Sequence, residues 1–301
     1  MPDASAIPVD HASRTQRIAL IALLVGALGI AFAPIFVRLS DVGPVAIGFW
    51  RVALSAPVLA LWMAGESKRG SRRPSSVADY GRLALAGLCF AGDLAVWHTS
   101  IRYTSVANAT LLANFAPLFV APVAWFLFKE RITGRFTLGM LLALAGAVVL
   151  MGQSVQLGTE HLFGDALGLL TAVFYGGYIL SVGHLRAEFS TATIMTWSGV
   201  ITAVLLLPLG LMTGEPMLPP TASGWAVLFG LALFSHAGGQ SLIAYALAHL
   251  PTSFSSVSLL LQPAAAAILA WILLSEPLGT LQAVGAAVIL AGILLARSGS
   301  R

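Results

Sequence analysis

Residues 104–130 (TSVANATLLANFAPLFVAPVAWFLFKE) and residues 252–276 (TSFSSVSLLLQPAAAAILAWILLSE) are two versions of one segment. Both open on Thr-Ser and both carry a Leu-Leu pair, Leu111-Leu112 and Leu259-Leu260. Each then has an amide followed by a proline: Asn114 and Pro117 in the first, Gln262 and Pro263 in the second. Trp125 matches Trp271 and Glu130 matches Glu276. The early residues align at an offset of 148 (104 to 252) and the later ones at 146 (117 to 263), so one two-residue gap reconciles the copies. A repeat of this length means a chain built from two related halves.

The repeated unit is apolar, and so is the rest of the chain. Hydrophobic residues make up 58% of the sequence and charged residues 9%, against roughly 25% charged in a soluble domain. A chain of 301 residues with so few charges cannot present a water-soluble surface, so lipid is the expected solvent. Several runs reach the ~20 residues that cross a bilayer as a helix, and the alternation of an outer-membrane barrel is absent. Ten spans are expected, at about 18–37, 44–64, 81–101, 106–128, 136–152, 164–185, 193–212, 224–247, 253–274 and 279–296. Residues 1–16 are polar. Arg14 and Arg17 precede the first run, and Ala31-Phe32-Ala33 has the form of a signal-peptidase site. Pro34 follows at once and the apolar character continues to Val37, so an uncleaved first span is expected. The single cysteine, Cys89, lies within a span, which excludes disulfides and cysteine-rich metal centres.

With the N-terminus on one side, that side receives Arg14, Arg17, Lys68, Arg69, Arg72, Arg73, Arg82, Lys129, Arg131, Arg135, Arg186, Arg297 and Arg301, thirteen of the sixteen Lys and Arg residues. Arg38 and Arg102 fall on the other side, and Arg51 lies just inside a span. The positive-inside rule then puts both termini in the cytoplasm. The net charge of +4 therefore reports topology rather than a nucleic-acid surface. Five crossings per half is an odd number, so the halves, taken as 1–155 and 156–301, must lie inverted in one membrane domain. The exit loops agree: KERITGR after the first copy is basic, and SEPLGT after the second has no cation. Other positions also match: Gly26 with Gly168, Phe32 with Phe174, Trp50 with Trp197, and Gly139, Ala145 and Gly146 with Gly285, Ala291 and Gly292. The fold class is thus all-α integral membrane, ten transmembrane helices in two inverted five-helix repeats. Inverted repeats are a common construction of secondary transporters, with the site near the midplane between halves.

The proline of the fourth and ninth spans, the W-x4-E exit that follows it and the Ala-Gly pair of the fifth and tenth resemble the drug/metabolite transporter superfamily. The resemblance is to its EamA-type ten-helix exporters and covers nearly the whole chain. It implies export of amino acids or other metabolites. Trp97 and His98 in the third span resemble the aromatic-amino-acid exporter branch, although the second half has Tyr245-Ala246 there.

Polar side chains at membrane depth are costly and mark candidate sites. Substrate contacts are expected from Trp97, His98, Asn114, Tyr175, Tyr178, Gln240 and Gln262. Trp97 could instead be an interfacial belt residue, and the amides could be interhelical glue. Coupling or gating is expected from Asp93, Arg51, His236, Pro117 and Pro263. Asp93 would carry a proton or bind a substrate amine, or be held as a structural carboxylate by Arg51. Arg51 and Arg38 would line the outer mouth or snorkel to the interface. Trp62, Trp225 and Trp271 are expected at the belt or facing lipid. Gly176 in the sixth span matches Pro34 in the first, and breakers at matching positions point to a site or a hinge, while small residues also simply permit close helix packing.

No H-E-x-x-H, Walker loop or G-x-S-x-G occurs, so neither an enzyme nor an ATP-driven pump is expected. No cofactor and no metal are expected. The partners are a small-molecule substrate (an amino acid or similar metabolite) and the lipid bilayer, with no nucleic acid and the chain acting as a monomer. The function read from these residues is a secondary transporter exporting small metabolites, amino acids first, across the bacterial inner membrane by alternating access. Drugs, purines or other metabolites are alternative substrates. An integral-membrane enzyme or a non-transporting scaffold are alternatives of another class.

Overall fold

The computed structural model describes residues 8–67, 72–104, 106–152, 158–275 and 278–300. Lys68, Arg69, Ser105, Glu276, Arg301 and the division at 155/156 lie outside the described residues. Ten helical stretches are long and apolar enough to cross a membrane: Arg14–Arg38, Pro44–Glu66, Val77–Ser100, Asn108–Phe128, Gly134–Met151, Thr159–Leu185, Thr191–Met212, Ala222–Ala246, Thr252–Leu274 and Thr280–Gly299. They are called the first to tenth spans below. Among the described residues there are no strands. The end of the bundle that holds the start of the first span is called side A and the other side B.

Helix starts follow ordinary capping chemistry. The Ser76 hydroxyl accepts from the Asp79 N–H while the Asp79 carboxylate accepts from the Ser76 N–H, a reciprocal box that opens the third span. Thr133, Ser190 and Thr221 cap the fifth, seventh and eighth spans through the N–H three residues on.

The fourth and ninth spans break at matching places. The fourth divides into Val106–Ala113 and Ala116–Phe128, and the ninth into Thr252–Ser258 and Leu261–Leu274. Pro117 and Pro263 stand in the first turn after each break, where a missing N–H disturbs least. Even the exceptional residues repeat. Lys129 and Ser275 end the two spans in the left-handed conformation at φ 57° and 56°, and 129 plus the offset of 146 is 275. The turn at Lys129 aims Glu130 at the start of the ninth span. There its carboxylate accepts from the Thr252 N–H (2.6 Å), the Ser253 N–H (3.0 Å) and the Ser253 hydroxyl. One half thus caps a helix of the other, with an anion placed where a helix start favours it. Glu130→Ala removes a charge-assisted set worth about 2 kcal/mol. A thermal denaturation scan is expected to show a midpoint lower by about 4–8 °C, and an unchanged midpoint would deny the cap any structural weight.

The fifth and tenth spans form the most extensive helix pair, and glycines make it possible. A Cβ on Gly139 would lie 2.7 Å from the Gly292 carbonyl oxygen, and one on Gly292 would lie 2.7 Å from that of Gly139. Gly146 and Gly285 face each other in the same way, at 2.9 and 2.7 Å. Small residues let membrane helices approach backbone to backbone. The first span meets the eighth by the same device, Gly26 and Gly29 against Gly239.

The matching residues Pro34 and Gly176 act differently in the first and sixth spans. The first span does break at Phe32, before Pro34. The sixth runs unbroken from Leu162 to Leu185. Glycine permits but does not force a break. Gly176 instead admits the fourth span, its Cβ position lying 3.3 Å from a Val120 methyl.

Candidate functional site

The second, third, sixth, eighth and ninth spans bring their polar residues to one place deep in the bundle. Its centre is a ring the sequence reading passed over, Phe90 on the third span. Phe90 stacks on Tyr178 of the sixth span (4.7 Å between centroids, 27° between planes) and on His236 of the eighth (5.4 Å, 17°). The Arg51 guanidinium of the second span lies over the same ring, 5.6 Å from its centroid, in the geometry of a cation–π contact. Asp93 lies one helical turn from Phe90 on the third span, as i+3 spacing dictates. Arg51 interacts electrostatically with Asp93, Tyr175 and Tyr178, and its charge is felt at His98 and His236. The Tyr175 hydroxyl is within hydrogen-bonding reach of the Gln262 side chain, and that of Tyr178 is within reach of Gln240. Tyr178 also approaches the Met195 sulfur at 3.5 Å.

His236 and Gln240 sit on a wide, π-helical stretch, Leu231–Gln240. Such stretches are rare, and shorter ones are frequent at functional sites. Gly239 lets the first span approach here, and the Ser235 hydroxyl donates to the Gly29 carbonyl at 2.9 Å.

Most of the expected residues therefore converge: Asp93, Arg51, His98, Tyr175, Tyr178, His236, Gln240 and Gln262. Trp97 meets the His98 ring edge-on at 4.9 Å, and His98 fits against Gly48, where a Cβ would lie 3.3 Å from its ring. Pro117 and Pro263 shape the fourth and ninth spans that flank the cluster. Asn114 does not join by any polar contact. Its amide donates to the Thr110 carbonyl at 2.8 Å, within its own helix, at the break.

Arg51 is half-buried and turns its guanidinium onto Phe90. One expectation is corrected. Trp225 does not face lipid as a belt residue. It packs edge-on against Trp50 (4.9 Å), whose indole N–H donates to the Met217 carbonyl at 2.6 Å. Trp62 and Trp271 are exposed, as expected.

Ion pairs tie the halves together at both ends of this core. On side A, Arg72 and Arg82 of the first half both pair with Glu188 of the second and with Asp79, at 3.1 Å (Arg72) and 2.6 Å (Arg82) from Asp79. Both guanidinium groups lie over the Phe189 ring, at 4.8 and 5.9 Å. On side B, Arg102 pairs with Glu215. Beside that pair a cavity of about 400 Å³ is lined by Val45, Val96, Thr99, Arg102, Leu209 and Thr213. The side A network had no signal beyond ordinary loop charges.

A family model for EamA-like transporters matches residues 17–152 and again residues 162–298. The chain belongs to the EamA-like transporter family. It is accordingly a multi-pass membrane protein of a transporter family, with the family's unit present twice, and not an enzyme. Similar proteins include one of Archaeoglobus fulgidus described as an uncharacterized transporter, 26% identical over 94% of this chain and 97% of its own. Another, from Streptantibioticus cattleyicolor, is described as a probable terminal-alkyne amino-acid exporter and is 28% identical over 88% of each chain. A crystal structure with a TM-score of 0.76 and 20% identity covers 96% of this chain and 99% of its own, a likeness of fold alone.

Proposed function

We propose that this EamA-like transporter exports amino acids across the bacterial inner membrane by alternating access, as a monomer with both termini cytoplasmic. The observation that carries the reading is the convergence of Asp93, Arg51, two tyrosines and two glutamines around one buried point between the halves. Polar groups in such number at membrane depth serve a polar cargo, and aromatic walls with a few placed polar groups are the usual form of a small-molecule site. The relative described as an amino-acid exporter supports the same substrate class. Among the described residues Arg51 is the one cation of the cluster, which disfavours nucleotide sugars and other multiply charged phosphates. The side B cavity of about 400 Å³ is of a size suited to small ligands and would serve as the periplasmic exit. In this reading the halves 1–155 and 156–301 rock about the site, and the ion pairs at the two ends open in turn.

Purified protein in liposomes is expected to catalyse uptake of at least one labelled amino acid. Folded protein that moves none of the twenty common ones would overturn the reading.

A further inference from the structure

The two charges of the cluster face an open requirement. Arg51 and Asp93 interact electrostatically, yet no ion pair within 4 Å joins them, and neither makes a hydrogen bond among the described residues. Both are half-buried and keep accessible surface, so neither is sealed in packing. Several polar atoms of the cluster are likewise unpartnered: Nε of Arg51, Nδ1 of His98, both ring nitrogens of His236 and Nε2 of Gln262. A buried ion without a partner is strongly destabilising, and a buried polar atom left unsatisfied is rare enough to require a reason.

An occupant with one anionic and one cationic group would satisfy both ions together. We infer that the site reads both ends of a free amino-acid zwitterion, with the substrate carboxylate on Arg51 and its ammonium on Asp93. This rests on the amino-acid reading above and sharpens it to a specificity rule. A monocarboxylate would leave Asp93 uncompensated, and an amine would leave Arg51 uncompensated. A neutral apolar drug would leave both. A zwitterion carries no net charge, so the site's total charge is the same loaded and empty, which suits passage through a low-dielectric core. Phe90, lying against the Arg51 guanidinium, is a positioning residue that holds the anion-binding fork in place. The Gln262 amide nitrogen, itself without a hydrogen-bond partner, is a further donor for the carboxylate.

The test uses the full-length protein in detergent and a ligand series. Each of the twenty common L-amino acids is screened by thermal shift. For those that bind, the α-amide (no carboxylate) and the desamino acid (no ammonium) are titrated beside the parent. Both analogues are expected to bind about 10- to 100-fold more weakly, as when one charged partner of a hydrogen bond is removed. Arg51→Gln is expected to erase the preference for the acid over its amide. Asp93→Asn is expected to erase the preference over the desamino acid. Each variant should leave the other preference in place, a result that a merely structural role would not produce. An amide or desamino acid that binds within threefold of the parent in the unmodified protein overturns the inference, even if both variants fail to fold. The same analogue result together with liposome transport of the parent leaves the amino-acid reading standing while removing this rule. Binding and transport of no amino acid remove both.

Discussion

Gly146→Ala is expected to lower the thermal midpoint by about 10 °C or to abolish recovery of folded protein, although it adds one methyl group. That methyl would lie 2.6 Å from the Ile289 nitrogen and 2.9 Å from the Gly285 carbonyl oxygen. Both are backbone atoms and cannot swing aside as a flexible side chain could, so the fifth and tenth spans must separate along their length. Overpacking in a well-filled interior costs about 1–3 kcal/mol or more, and for a chain of this size each kcal/mol moves the midpoint by about 2–4 °C. Gly285→Ala should behave alike, because its methyl would lie 2.7 Å from the Gly146 carbonyl oxygen. Gly65→Ala and Gly134→Ala are the controls, since nothing lies within 4 Å of a Cβ at either position. Midpoints for Gly146→Ala and Gly134→Ala that agree within 2 °C would refute the close-packed pairing.

The second large effect concerns movement. With Cys89→Ala removing the native thiol, Arg82→Cys and Glu188→Cys place a pair of cysteines where Arg82 Nη1 and Glu188 Oε1 now meet at 2.6 Å. A short thiol-specific cross-linker across this pair joins the halves on side A. Transport of a labelled substrate is expected to fall at least tenfold on cross-linking and to return when a cleavable linker is reduced. The single-cysteine variants treated alike should keep their activity. Full transport by quantitatively cross-linked protein would mean that the halves do not part at Arg82 and Glu188 during the cycle.

Much of this architecture is legible without coordinates, because lipid leaves few options. A run of apolar residues the width of a bilayer must be a helix. The repeat from Thr104 and Thr252, with five crossings per half, sets its direction. The site is legible only where its residues are polar. Asp93, His236 and Gln240 stand out because hydrocarbon has no use for them. Phe90 does not, since an aromatic ring in an apolar run looks like packing, although its place one turn before Asp93 would have shown it on the same face. Asn114 stands out by the same rule, and the structure shows one of its amide hydrogens going to the Thr110 carbonyl one turn back. The contact of Arg51 with Phe90 is not legible, because position along one span does not give what neighbouring spans bring to it. The side A network of Arg72, Arg82 and Glu188 joins loops distant in sequence, and composition has no means of pairing them.

The glycines of the fifth and tenth spans carry a further meaning. Gly139 corresponds to Gly285 and Gly146 to Gly292, yet Gly139 touches Gly292 and Gly146 touches Gly285. Position i of one half meets position j of the other, and j meets i. That is the isologous contact of a closed two-fold dimer, written within one polypeptide. A single five-span half therefore holds both surfaces of its own interface, each complementary to itself. Two identical copies inserted in opposite orientations could meet through it and close, with no connecting loop between them. The covalent link between the halves then fixes the stoichiometry and lets the two copies diverge, as Asn114 and Gln262 have, while the axis on which they meet stays symmetric.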